Sequence, residues 1–188
     1  MKLIREFYAR PTLTVARDLL GQVLVHRSPQ GTCAGRVVET EAYTQNDPAC
    51  HAYRGKTKRN ATMFGQPGQG YIYLIYGIHH CFNVVTAQED VGEAVLIRAL
   101  EPLAGVEIMK KRRNQQRDRL LCSGPARLCQ ALGITTALDG IDLLGDRIFL
   151  LSHPRPQKIV TTTRIGISQG KELPYRFYIG DSKYISKK

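Results

Sequence analysis

The chain has no tryptophan, three methionines and only sixteen acidic residues, against twenty-seven lysines and arginines. The shortage of acidic side chains leaves a formal charge of +11 and a sequence pI of about 9.6. A surface this basic points to a polyanionic partner, with nucleic acid the first candidate. No apolar run approaches the ~20 residues of a membrane-spanning helix. The opening MKLIREFYARP lacks the apolar centre of a signal peptide, so a cytoplasmic protein is expected, neither secreted nor membrane-bound. The five cysteines, 33, 50, 81, 122 and 129, are an odd number with no Cys-x-x-Cys pair and no zinc-finger spacing to histidine. A disulfide framework and a structural metal are therefore not expected, and buried, idle thiols in a reducing compartment are. His79-His80-Cys81 cannot chelate one ion well from a strand, where neighbours point to opposite faces. There is no GxxxxGK[ST] loop and no Gly-x-Ser-x-Gly elbow, and the glycines at 65, 68 and 70 precede a strand rather than a helix. No cofactor is expected.

What is present describes one domain over residues 1–188, long enough to bury a core without staples. Leu13, Ala16, Leu19 and Leu20 fall at helical spacing, and Gly21 stands where that helix would stop. Residues 22–27 and 33–43 read as strands. Residues 44–70 form a long polar loop, and loops of that length in a compact domain are usually functional. Strands over 71–77 and 80–85 meet at a tight turn near Gly77, and a strand over 93–102 ends at Pro102. A helix over 103–120 would finish in the charged run 110–119, read as a solvated face. A second helix over 123–133 is capped by Ser123, admits Pro125 in its first turn and closes at Gly133. Further strands are expected over 146–152, 158–168 and 175–180. The fold class is α+β: a single compact domain with a curved, mainly antiparallel β-sheet, flanking helices and a protruding β-hairpin.

Three features carry chemistry. Glu39, Glu41 and Tyr43 alternate along one strand and share a face; a buried carboxylate there needs a cation or a water to polarise, and could serve as a general base. Arg98 lies among apolar neighbours in Val-Leu-Ile-Arg-Ala and requires an anionic partner, which Glu39 or Glu41 could supply. Tyr71 and Tyr73 share a strand face and suit core packing, whereas Tyr76 sits at a hairpin tip, where an exposed ring can be wedged between base pairs. His51 in the long loop and Asn83 after the hairpin flank these groups. Taken alone, these residues also admit a non-catalytic nucleic-acid-binding module or a hydrolase of free nucleosides.

The segments GRVVETEAY, DPACHAYRGKTKRNATMFGQPGQGYIYLIYGIHHCFNVVT, AVLIRALEPL and CSGPARLCQALGI, in that order, resemble the alkyladenine (3-methyladenine) DNA glycosylase family. FYARPTLTVARDLLGQVLV and RIGISQGKELPYRFYI extend the resemblance over nearly the whole chain. It implies a monofunctional DNA glycosylase of base excision repair. Such an enzyme flips damaged purines of the 3-methyladenine, hypoxanthine and ethenoadenine class out of duplex DNA and hydrolyses the N-glycosidic bond, with no lyase step. By the same resemblance Glu41 activates the water and Arg98 helps hold it. Tyr43, His51, Tyr73 and Asn83 form the base pocket, and Tyr76 intercalates. DNA contacts are expected of Arg59, Arg98 and Arg127. The expected partner is double-stranded DNA containing damaged purines, bound by a monomer. Cys50, Lys58 and His80 depart from the family pattern and bear on substrate range and loop geometry.

Overall fold

A computed structural model describes residues 1–187; Lys188, which the single-domain reading includes, lies outside the described residues. Nine strands form one antiparallel sheet: β1 (Val23–Ser28), β2 (Gly31–Tyr43), β3 (Gln69–Ile75), β4 (His79–Val85), β5 (Ala94–Ala104), β6 (Ile141–Asp142), β7 (Ile148–Leu151), β8 (Ile159–Thr162) and β9 (Arg176–Ile179). The order is β6-β3-β4-β5-β2-β1-β7, and β8 joins through β9, which pairs with β2. Among the described residues four α-helices flank it: α1 (Arg5–Tyr8), α2 (Thr12–Asp18), α3 (Val106–Arg113) and α4 (Pro125–Leu132).

β2 is the pivot. Its first half pairs with β1 as far as Arg36, and β9 takes over the same edge at Glu39–Glu41. On the β5 side its register shifts on both sides of Glu39. Irregularities of this kind bend a strand and increase its twist, and here they curve the sheet around the carboxylates of β2. Tyr71 lies opposite Asn83, Asn83 opposite Leu96, and Leu96 opposite Glu41. Residues directly opposite share a face, so this row crosses four strands on the concave side. The intervening residues Ala42, Ile72, Phe82, Val84, Val95 and Ile97 point the other way into the main core, where α2 packs on β2 and α4 on β4 and β5.

Several sequence expectations are corrected. β5 continues through Pro102 to Ala104; Pro102 lies opposite Gly35, next to a register shift, where the ladder is already irregular. The helix expected over 103–120 stops at Arg113, because Asn114 turns left-handed (φ 46°) as its C-cap. The charged run is only partly a solvated face. Arg112 donates to the Ala131 carbonyl and Ser28 Oγ, and Arg113 to the Leu121 carbonyl, tying α3 to its neighbours. Ser123 does not cap α4; Gly124 holds that position, and Ser123 Oγ accepts from Arg127. The strand expected over 158–168 ends at Thr162, freeing the following segment to turn toward the concave face. The five cysteines are buried free thiols. Among the described residues no helix is long and apolar enough to cross a membrane.

Candidate active site

A cavity of about 200 Å³ opens on the concave face. β3 and β4 supply Tyr71, Tyr73, Cys81 and Asn83, β5 supplies Leu96 and Arg98, and the end of β2 supplies Tyr43. His51 enters from the long loop, and Ile165–Ile167 from the segment after β8. Glu41 stands behind this wall, 0% exposed. Its Oε1 lies 3.2 Å from Arg98 Nη1 and accepts the Ile165 backbone N–H at 2.9 Å. Its Oε2 accepts the Tyr43 hydroxyl at 2.8 Å. All three of these partners line the cavity. A carboxylate oxygen accepts roughly two hydrogen bonds, so Glu41 Oε2, with the Tyr43 hydroxyl alone, retains one acceptor position.

Arg98 has both carboxylates as partners. Its Nε lies 3.2 Å from Glu39 Oε1. Burial alone would lower its pKa, but Glu41 and then Glu39 raise it above the ordinary arginine value, so the cation is secure. Burial, followed by the neighbouring Glu41, pushes the Tyr43 phenol well up, and it stays a protonated donor.

The tyrosine side of the cavity is aromatic. The His51 ring meets Tyr73 edge-on with centroids 4.6 Å apart, and Tyr71 lies 5.4 Å from Tyr73. His51 Nδ1 and the Tyr71 hydroxyl are hydrogen-bonded at 2.9 Å. His51 sits at the exposed rim with its inner edge against these rings. Desolvation, then the Arg59 guanidinium, holds its pKa below the ordinary histidine value, which keeps it neutral at pH 7. Asn83 is buried, and its Nδ2 donates to the Tyr71 carbonyl at 3.0 Å, which fixes the plane of the amide.

Tyr76 stands apart from the cavity at the β3–β4 turn, 83% exposed, with φ of 53° followed by Gly77 at 72°. A bulky residue in the left-handed region is strained, and the position at the hairpin tip leaves the ring in solvent. Arg59 and Arg127 are exposed and lie outside the cavity lining. The structure thus brings together Tyr43, His51, Tyr73, Asn83 and Arg98 around one cavity, with Glu41 directly behind them.

Sequence reasoning missed two participants. Tyr71, read as core, is both buried and part of the cavity; its position opposite Asn83 was the available signal. Arg164, inside a segment read as strand, has a fully buried side chain paired with Asp47, and its guanidinium lies 4.7 Å over the Tyr43 ring. Because Arg164 is absent from the cavity lining, it backs Tyr43 from outside the cavity. It pins the segment that delivers Ile165 to the start of the loop that delivers His51. Its partner lies 117 residues away, beyond the reach of local pattern.

A family profile described as "Methylpurine-DNA glycosylase (MPG)" matches residues 6–183. The chain is 56% identical, over the full length of both, to a protein of Carboxydothermus hydrogenoformans. It is 51% identical over the full length of both to one of Methanoculleus marisnigri. A third relative, from Rubrobacter xylanophilus, is 54% identical over 86% of this chain and 85% of its own. Each of the three is described as a "Putative 3-methyladenine DNA glycosylase".

Proposed function

The chain belongs to the methylpurine-DNA glycosylase family, and on that premise we propose that it removes damaged purines from double-stranded DNA, working inside the cell as a monomer whose residues 1–188 form one glycosylase domain. The observation that carries this reading is Glu41: a buried carboxylate, oriented by Arg98, Tyr43 and the Ile165 amide, with one acceptor position left beside an aromatic cavity.

The glycosidic bond of a stacked purine is out of reach, so the nucleotide must be flipped. Tyr76 is the wedge that fills the space left in the stack. The purine enters the cavity between Tyr43 and the His51–Tyr73 edge, with Asn83 facing the purine ring substituents and rejecting guanine's extra amino group. Electron-rich aromatic walls favour a base made cationic by alkylation at N3 or N7. Glu41 accepts a hydrogen bond from water at its open position. As the bond from C1′ to the purine lengthens, its electron pair leaves with the base and positive charge grows on the sugar. The water oxygen bonds to C1′, and its proton passes to Glu41. The Glu41 carboxylate also stabilises the developing cation, and Arg98 holds that carboxylate in place. A cationic purine departs unaided; a neutral one such as hypoxanthine needs a proton. The nucleophile is water, so strand cleavage does not follow. Arg59 and Arg127 bind the DNA backbone without reading sequence, and Arg98, on the cavity wall, meets the phosphate of the flipped nucleotide.

The test is incubation with duplexes carrying hypoxanthine, ethenoadenine or alkylated purines, with chromatographic detection of free base. Release from at least one lesion, and none from undamaged duplex, supports the reading. No release from any of them refutes it.

A further inference from the structure

The two carboxylates on β2 are not equivalent. Glu39 is as buried as Glu41, yet its surroundings differ. Its Oε1 accepts from Arg98 Nε at 3.2 Å, Arg176 Nη1 at 2.8 Å and Ser186 Oγ at 2.9 Å, and its Oε2 accepts the Ser186 backbone N–H at 2.7 Å. Three donors crowd Oε1 and one holds Oε2, so both oxygens of Glu39 are tied to protein groups. Neither carboxylate lines the cavity, but all three partners of Glu41 do, whereas two partners of Glu39 belong to the C-terminal segment and β9. Ser186 Oγ also accepts from Arg98 Nη2 at 3.3 Å, so the same hydroxyl touches both the carboxylate and the guanidinium.

Arg98 is therefore divided. Its Nε edge goes to Glu39 and its Nη1 to Glu41. A guanidinium beside a single carboxylate tends to form the bidentate fork, with two parallel hydrogen bonds to both oxygens. Applied to Glu41, that fork would fill the acceptor position left for water. Glu39 offers the guanidinium a second carboxylate, on its Nε edge. The local charges balance as well: Glu39 and Glu41 face Arg98 and Arg176.

We infer that Glu39 is a positioning residue that acts through Arg98: it holds the guanidinium turned away from a bidentate clasp on Glu41, and the C-terminal Ser186 completes its seat. The inference rests on the excision reading above and adds a division of labour between the two glutamates.

The test is a double-mutant cycle read by single-turnover excision and by duplex affinity. Wild-type excision is the control, and its absence overturns the functional reading itself. With that control in place, Glu39→Gln is expected to lower the maximal rate by about 10- to 100-fold, the scale of a small misplacement at a reacting centre, while affinity for undamaged duplex stays within about twofold. Lysine cannot form the fork, so in an Arg98→Lys background the same change should cost less than about threefold. A Glu39→Gln rate near wild type overturns the inference, as does a loss that persists undiminished in the Arg98→Lys background. Should Glu39→Gln fail to fold, Ser186→Ala decides. It keeps the carboxylate but removes its hydroxyl partner, and a loss of about 3- to 10-fold is expected, absent in the Arg98→Lys background. A wild-type rate for Ser186→Ala would then refute the inference.

Discussion

Replacing Tyr76 by glycine should separate stability from activity, with opposite signs. The Tyr76 ring is 83% exposed, so its removal forfeits little packing in the free protein. Its backbone sits at φ 53°, a region that costs a bulky residue on the order of 1–3 kcal/mol and costs glycine almost nothing. Glycine's greater freedom in the unfolded chain returns part of that gain. A net stabilisation of about 1 kcal/mol is expected, which for a chain of this length raises the melting temperature by about 2–4 °C. In the DNA complex the same change deletes the wedge. Stacking of an aromatic side chain against bases is worth about 1–3 kcal/mol, so the flipping equilibrium should fall by about 5- to 150-fold. The assay pairs a thermal melt with stopped-flow fluorescence of ethenoadenine, whose emission rises when it leaves the stack. A variant that melts higher and flips as well as wild type would refute the wedge role. A variant that melts markedly lower would refute the assignment of strain to the turn.

His51 is held neutral by desolvation and by Arg59, so protonating it needs a pH below the ordinary value of 6.5. Charge there repels a cationic base. Excision of alkylated purines should therefore decline as pH falls through that lower range, and the decline should shrink in His51→Gln; an identical acid limb in the variant would contradict the contact. Binding to undamaged duplex should weaken steeply with salt, and Arg59→Gln and Arg127→Gln should each reduce the slope of log K against log salt by about one. An unchanged slope places that arginine away from the phosphates.

The architecture was legible where local rules suffice. Alternation placed Glu39, Glu41 and Tyr43 on one face of β2, and the apolar flanks of Arg98 called for a carboxylate, though both glutamates fill that role where one was expected. The hairpin signal at Gly77 located Tyr76 at an exposed tip. What escaped depends on distant partners. Nothing local ends a helix at Arg113 within a run of good helix formers, since an asparagine in the left-handed region is recognised only once the turn is seen. Arg164 sits in a segment with strand-like alternation, but Asp47 draws it out of line, and Ile165 arrives at Glu41 as a result. The difference between Glu39 and Glu41 was also invisible, because it is set by Arg176, Ser186 and Ile165, all more than 120 residues further along the chain.

The central claim is that a water held by Glu41 breaks the bond, with no covalent enzyme intermediate. It is tested most directly by single-turnover excision from one lesion duplex with borohydride present, comparing wild type with Glu41→Gln. The account predicts free base from wild type, no reduced protein–DNA adduct, and a rate about 10²- to 10⁴-fold lower for Glu41→Gln with duplex affinity retained. A trapped adduct, or a Glu41→Gln rate near wild type, would contradict it.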